Sequence, residues 1–156
     1  MMIRAIAAID DKRGLATDEG IPWKLPADIM HERQETKGGN LLMGYNTYLE
    51  FTAAPADRHW FVVTDGTEPL REGFEPVTDL KAFMDHPPKD LWLFGGAGVF
   101  AQTIKYADEL HLTKIEGDFH CTKFFPAYEY EFKLVNQSPS QHQNGLTFTF
   151  CVYVRK

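Results

Sequence analysis

Three short runs constrain this chain most: Ile3–Ile9, residues 60–64 and residues 91–94 are apolar at nearly every position. Each is short for a helix and is bounded by polar or turn-forming residues, so each reads as a strand buried on both faces. Leu41, Leu42 and Met43, Phe74–Val77 and Glu109–Ile115 read as further strands. Helices are predicted between them, over Pro26–Thr36, residues 45–51, and residues 79–85 with Asp79 as N-cap. A turn at residues 95–98 leads into another helix that runs to about Tyr106. Strands alternating with helices predict an α/β architecture, a mostly parallel sheet covered on both faces. Phe132–Gln137 and residues 146–154 read as a closing antiparallel edge. There Leu146, Phe148, Phe150, Val152 and Val154 alternate cleanly, and Asn144-Gly145 marks a turn. Ligands of such sheets gather at the carboxyl ends of strands, here Ile9, Met43, Thr64, Phe94 and Ile115.

Length and charge narrow the classes. The 156 residues are expected to form one domain, residues 1–156. A chain of that size buries about two-thirds of its unfolded surface. A net charge of −6 argues against a nucleic-acid partner. No apolar run approaches the roughly 20 residues of a membrane span, and the N-terminus lacks a signal-peptide pattern. Cys121 and Cys151 are isolated, which suits reduced thiols in a cytoplasmic protein. The expected state is a monomer. The 6 histidines show no metal-ligand spacing, and no metal is expected. His31-Glu32 resembles the start of a metalloprotease motif, but Glu35 stands where the second histidine belongs. Ser138 and Ser140 flank Pro139 in a turn, a poor place for an activated nucleophile.

The chemistry centres on Ile21-Pro22-Trp23-Lys24-Leu25-Pro26-Ala27-Asp28. Pro26 suits the first turn of a helix and places Asp28 in that turn. A first-turn carboxylate favoured by the helix dipole is the ordinary reading. An indole, two prolines and two aliphatics around one acid favour an acid/base or substrate-orienting role instead. Asp28, Ile29, Glu32 and Thr36 share one face of this amphipathic helix. The segment from Asp10 to Gly20 is a long polar loop, a functional or mobile element in a small domain. Gly95-Gly96-Ala97-Gly98 after a strand is either a phosphate cradle or simply a tight turn. Met43-Gly44-Tyr45-Asn46-Thr47 is a second strand-to-helix turn, with Thr47 as a phosphate contact or a cap. Taken alone, Arg58 is a solvated arginine and Thr113 a strand former.

The segment Trp23-Lys24-Leu25-Pro26-Ala27-Asp28 resembles the W-x-L-P-x-D segment of dihydrofolate reductases. The resemblance continues, in family order, through Met43-Gly44-x-Asn46-Thr47-Tyr48, Pro55 to Arg58, Gly95-Gly96-Ala97-Gly98-Val99-Phe100, Leu110 to Thr113 and Phe124-Phe125-Pro126. It implies an eight-stranded, mostly parallel central sheet with an antiparallel C-terminal edge and about four helices. It implies hydride transfer from NADPH to dihydrofolate, giving tetrahydrofolate for one-carbon and thymidylate metabolism. Asp28, Thr113 and Trp23 take the catalytic positions. Ala8, Ile21, Ile29, Glu32 and Arg58 take the substrate positions, with Arg58 gripping the glutamate carboxylate of folate. The cofactor positions are Ala8, Leu15, Gly44, Tyr45, Asn46, Thr47, Thr64, Asp65, Gly95, Gly96, Ala97, Gly98, Val99 and Phe100. The peptide joining Gly95 to Gly96 is expected to be cis.

The chain departs from the family at four of these positions. An arginine that binds cofactor phosphate usually stands where this chain has Tyr45. Gly98 and Asp65 likewise leave the 2′-phosphate without a cation, so NADH use is possible and NADPH preference is expected to be weak. His59, Arg71 and Lys105 are the candidate replacements. Glu32 stands where the family has an apolar or aromatic residue, and it is expected to turn toward Arg58 or solvent, away from the pterin. Two other functions remain open: a related pteridine or pyrimidine reductase, and a folate- or nucleotide-binding protein with little turnover.

Overall fold

The computed structural model describes residues 2–156. Its central sheet contains β1 (Ile3–Ile9), β3 (Asn40–Gly44), β4 (His59–Val63), β5 (Phe74–Val77), β6 (Leu91–Gly95) and β7 (Glu109–Ile115), all parallel. The long β11 (Leu146–Arg155) runs antiparallel to β7. The order across the sheet is β5-β4-β3-β6-β1-β7-β11, and the outer edge of β11 carries two strands end to end. These are β9 (Phe132–Gln137) and β10 (Gln141–Gln143). Four helices, α1 (Pro26–Thr36), α2 (Tyr45–Leu49), α3 (Leu80–Asp85) and α4 (Ala97–Thr103), accompany the sheet. A 3-10 turn, Ile104–Tyr106, follows α4.

The apolar runs explain this order. Leu41, Leu42 and Met43 are fully buried, as are Leu91, Trp92 and Leu93, so the middle strands meet side chains on both faces. Alternate residues serve opposite faces. Leu42 and Leu93 join the cluster with Phe100 and Phe125, while Leu41, Met43 and Trp92 join the one with Trp60 and Tyr48. Asp79 caps α3 by accepting a hydrogen bond from the Ala82 N–H at 3.0 Å.

The structure corrects the sequence reading in several places. The edge is not a simple strand pair: Asn144-Gly145 closes a hairpin between β10 and β11, and the sequence reading missed β10. Pro139 interrupts the edge, and Ser138 Oγ accepts the Phe150 N–H at 2.9 Å at the break. The loop from Asp10 contains β2 (Gly14–Ala16), paired with β8 (Lys123–Phe124). Helix α2 ends at Leu49 rather than Phe51. Helix α1 is not amphipathic in its packing: Ile29 and Met30 are 50% and 61% exposed, and Thr36 is its buried residue. Its Asp28 instead reaches the sheet through a bond to Thr113 of β7. Among the described residues, no helix is long and apolar enough to cross a membrane.

Candidate active site

Asp28 is fixed from three directions. Below it, Leu25 and Trp23 are buried with Ile115 and Phe148, and the Trp23 ring meets Phe119 edge-on at 5.2 Å. Beside it, the β10–β11 hairpin clamps the helix entrance. Gln143 Oε1 accepts the Ala27 N–H at 2.8 Å, satisfying one of the free donors of the first turn. Asn144 Nδ2 donates to the Lys24 carbonyl at 3.1 Å. Across from it, Thr113 Oγ1 donates to Asp28 Oδ1 at 2.5 Å, although the two residues are 85 positions apart. Thr113 is 2% exposed and lies between Ala8 of β1 and Phe150 of β11. Burial raises the Asp28 pKa above the ordinary carboxylate value. The Thr113 hydrogen bond and the nearby His31 oppose that rise. His31 itself stacks on Phe150, centroids 3.9 Å apart, and burial lowers its pKa.

Glu32 lies one turn beyond Asp28, with its Oε1 3.7 Å from Arg58 Nη1. Burial, and then the charge of Asp28, push its pKa up to about 7 against the pull of Arg58 and Arg33. The Arg58 side chain is only 7% exposed. Its guanidinium lies over the Trp60 ring at 5.2 Å and within 3.5 Å of Thr36 Oγ1. Beyond it opens a groove of about 460 Å³ lined by Arg33, Lys37, Pro55, Asp57 and Arg58 among others.

Two glycine turns meet at the carboxyl edge of β3 and β6, where Met43 pairs with Gly95. The Gly95–Gly96 peptide is cis, as expected. A Cβ on Gly44 would come within 3.1 Å of Val99 Cγ2 and within 3.9 Å of the Gly96 nitrogen. One on Gly96 would lie 3.5 Å from Thr47 Oγ1. The glycines leave bare backbone where the two turns face each other, and such a surface fits the diphosphate of a nucleotide cofactor. Val99 and Phe100 are buried beneath the turn and support it from below. Ala97 is half-buried, Asn46 is exposed, and Leu15 of β2 packs partly into the core.

The outer end of this edge is open. Tyr45 leans on Tyr48 at 5.5 Å. Thr64 Oγ1 accepts the Gly66 N–H at 3.2 Å, and Asp65 Oδ1 accepts from the Thr67 N–H and hydroxyl at 2.9 and 2.7 Å. These Thr67 hydrogen bonds lower the Asp65 pKa, so it stays ionised. A side chain on Gly98 would meet nothing within 4 Å. The candidate replacement cations are engaged elsewhere. Arg71 lies over the Tyr48 ring and donates to the Tyr48 and Phe51 carbonyls. His59 lies 3.1 Å from Glu75, and Lys105 lies over Tyr106.

Structure thus brings Trp23, Asp28, Thr113 and Ala8 together, and separately gathers Gly44, Thr47, Gly95 and Gly96. Ile21 is 63% exposed at the rim. The sequence reading missed Gln143 and Asn144, signalled only by the turn at Asn144-Gly145. It also missed Asp10, which is buried and accepts the N–H groups of Lys12, Gly14 and Phe119 at 2.8 to 3.0 Å. Asp10 thus ties the start of the loop that precedes Trp23 to the segment after β7.

A dihydrofolate reductase family model matches residues 2–155. This chain belongs to the dihydrofolate reductase family. A dihydrofolate reductase from Bacillus subtilis (strain 168) is 31% identical over 99% of this chain and 95% of its own length. One from Staphylococcus aureus (strain Mu50) is 28% identical over 100% of this chain and 99% of its own. A dihydrofolate reductase from Enterococcus faecalis, solved with NADP(H) and RAB-propyl, superposes with a TM-score of 0.88 at 23% identity. That comparison covers 99% of this chain and 96% of the other, and it establishes a shared dihydrofolate reductase fold.

Proposed function

We infer that this protein reduces 7,8-dihydrofolate to tetrahydrofolate with NADPH, by hydride transfer to C6 and protonation of N5. The observation that carries the reading is Asp28: a carboxylate in an apolar pocket, bonded to the Thr113 hydroxyl of β7, in the same sheet whose β3 and β6 end in the glycine turns. When bound against the Gly95–Gly96 turn, the reduced nicotinamide supplies the hydride. Asp28 accepts hydrogen bonds from the pterin amino group and N3, which orients the ring and favours a protonated, electrophilic substrate. Thr113 holds the carboxylate in place. Asp28 need not reach N5, and a water delivers that proton. Trp23, Ile21, Ile29 and Ala8 supply apolar surface that excludes bulk water, with the loop from Asp10 closing over the nicotinamide. Arg58 receives the carboxylate of the substrate tail.

NADPH is the nominal cofactor because of the family, and it is preferred only weakly over NADH because Thr64 is the one familiar phosphate contact at the outer end. Two free cysteines fit a reducing cytoplasm, and we read the working unit as a monomer. The test is loss of reduced-nicotinamide absorbance with dihydrofolate and either cofactor. Turnover with dihydrofolate supports the reading. Tight folate binding without turnover, or turnover only with another pteridine or pyrimidine, replaces it.

A further inference from the structure

Arg58 already has an anionic partner inside the protein. Glu32 Oε1 sits 3.7 Å from Arg58 Nη1. The arginine cannot easily follow a ligand, because it is packed on Trp60 and held near Thr36. Glu32 is 25% exposed and has three side-chain torsions, so it is the movable member of the pair. The groove that Arg58 lines is also lined by Arg33 and Lys37 as well as Asp57, so its balance is cationic. An arriving anion is attracted there. It then shares one guanidinium with Glu32, while Asp28 stands one helical turn away. Like charges this close favour protonation of one of them.

We propose that Glu32 is a proton-linked specificity residue for the anionic tail of the substrate. In the free protein it neutralises Arg58, and a ligand carboxylate displaces it as Glu32 takes up a proton. This rests on the folate reading of the site. The groups facing Glu32 are Asp28 and Arg33 on α1 and Arg58 in the loop before β4, with Asp57 beside Arg58. Glu32 titrates at about 7, so the uptake costs little near neutral pH and progressively more above it. Ligands without a tail carboxylate leave the Glu32–Arg58 pair intact. The enzyme is therefore expected to discriminate in favour of carboxylate-bearing substrates most strongly in mildly acid solution.

Calorimetric titration in buffers of different ionisation enthalpy, at about pH 8, reads the proton count directly. The ligands are folate and 6-hydroxymethylpterin, which lacks the tail but meets Asp28 in the same way. The expected result for the wild-type protein is close to one more proton taken up with folate than with the pterin. Its folate Kd should rise by up to about tenfold per pH unit above pH 7. Glu32→Gln should take up no extra proton with folate and should lose this pH dependence. Equal uptake for the two ligands, or an extra proton that persists in Glu32→Gln, overturns the inference while leaving the folate reading intact. If folate binds neither protein at any pH, the folate reading falls and this inference with it.

Discussion

The two ends of the cleft are built on opposite principles. At the Asp28 end the acid is buried, and every neighbour is tied down: Thr113 by the sheet, the helix entrance by Gln143 and Asn144, Trp23 by Phe119. At the outer end, Tyr45, Thr64, Asp65 and Gly98 lie at or near the surface, and the side-chain oxygens of Thr64 and Asp65 turn into their own loop. A buried charge is costly unless its surroundings are arranged for it, so its partners come as a set. An exposed phosphate site competes with water and is made or unmade one side chain at a time. The chemistry is therefore expected to be robust where the chain is buried, and the cofactor preference adjustable where it is not.

The strongest way to break this contrast is Asp28→Asn. It should leave the fold intact and lower hydride transfer at neutral pH by about two to three orders of magnitude. Part of the loss should return as pH falls, because a protonated substrate needs less help. Near wild-type single-turnover rates at pH 7 would remove Asp28 from the mechanism. At the open end, Tyr45→Arg should raise the NADPH-to-NADH ratio of kcat/KM by about tenfold or more, the scale of one hydrogen bond to a charged group. A wild-type preference already in the several-hundredfold range would mean that another cation serves the phosphate.

A subtler test concerns stability in the free protein. Burial lifts Glu32 from its ordinary 4.5 to about 7 and raises Asp28 in the same direction. A carboxyl whose folded pKa is raised favours the fold below its unfolded pKa, and that advantage is lost as pH rises through the folded value. Urea unfolding should show stability falling by about 1–2 kcal/mol from about pH 5 to about pH 8. Glu32→Gln should flatten most of that slope, and an unchanged slope would place the titration elsewhere. The smallest effect is expected from Gln143→Ala, about 1 kcal/mol of stability from one lost hydrogen bond. Its sharper signature would be a raised KM for dihydrofolate, since α1 loses its lateral support. Loss of stability with an unchanged KM would make the clamp a fold element only.

How much of this was legible depends on where the signal lies. The parallel core could be read because Leu41 to Met43 and Leu91 to Leu93 are apolar without interruption, which only strands covered on both faces tolerate. The strands β2, β8 and β10 could not, because they are short and mostly polar or flanked by turns. They exist through their pairing partners. Asp28 stood out locally through its rigid apolar flanks, and Thr113 entered only through the family resemblance.

By itself, then, the sequence determined the sheet class, the helix start at Pro26, the Asp79 cap, the turn at Asn144-Gly145 and an acid in unusual company. These are local matters, decided by φ preferences, side-chain period and the cost of burying backbone. Tertiary structure alone decided what that acid touches. The 2.5 Å bond to Thr113, the Gln143 clamp and the Asp10 anchor each join residues that no local pattern connects. The Glu32–Arg58 pair differs, since a turn of Glu32 toward Arg58 or solvent was expected from the sequence, and folding chose Arg58. Such contacts depend on chain closure over many residues, and their energies exist only once the intervening core has formed.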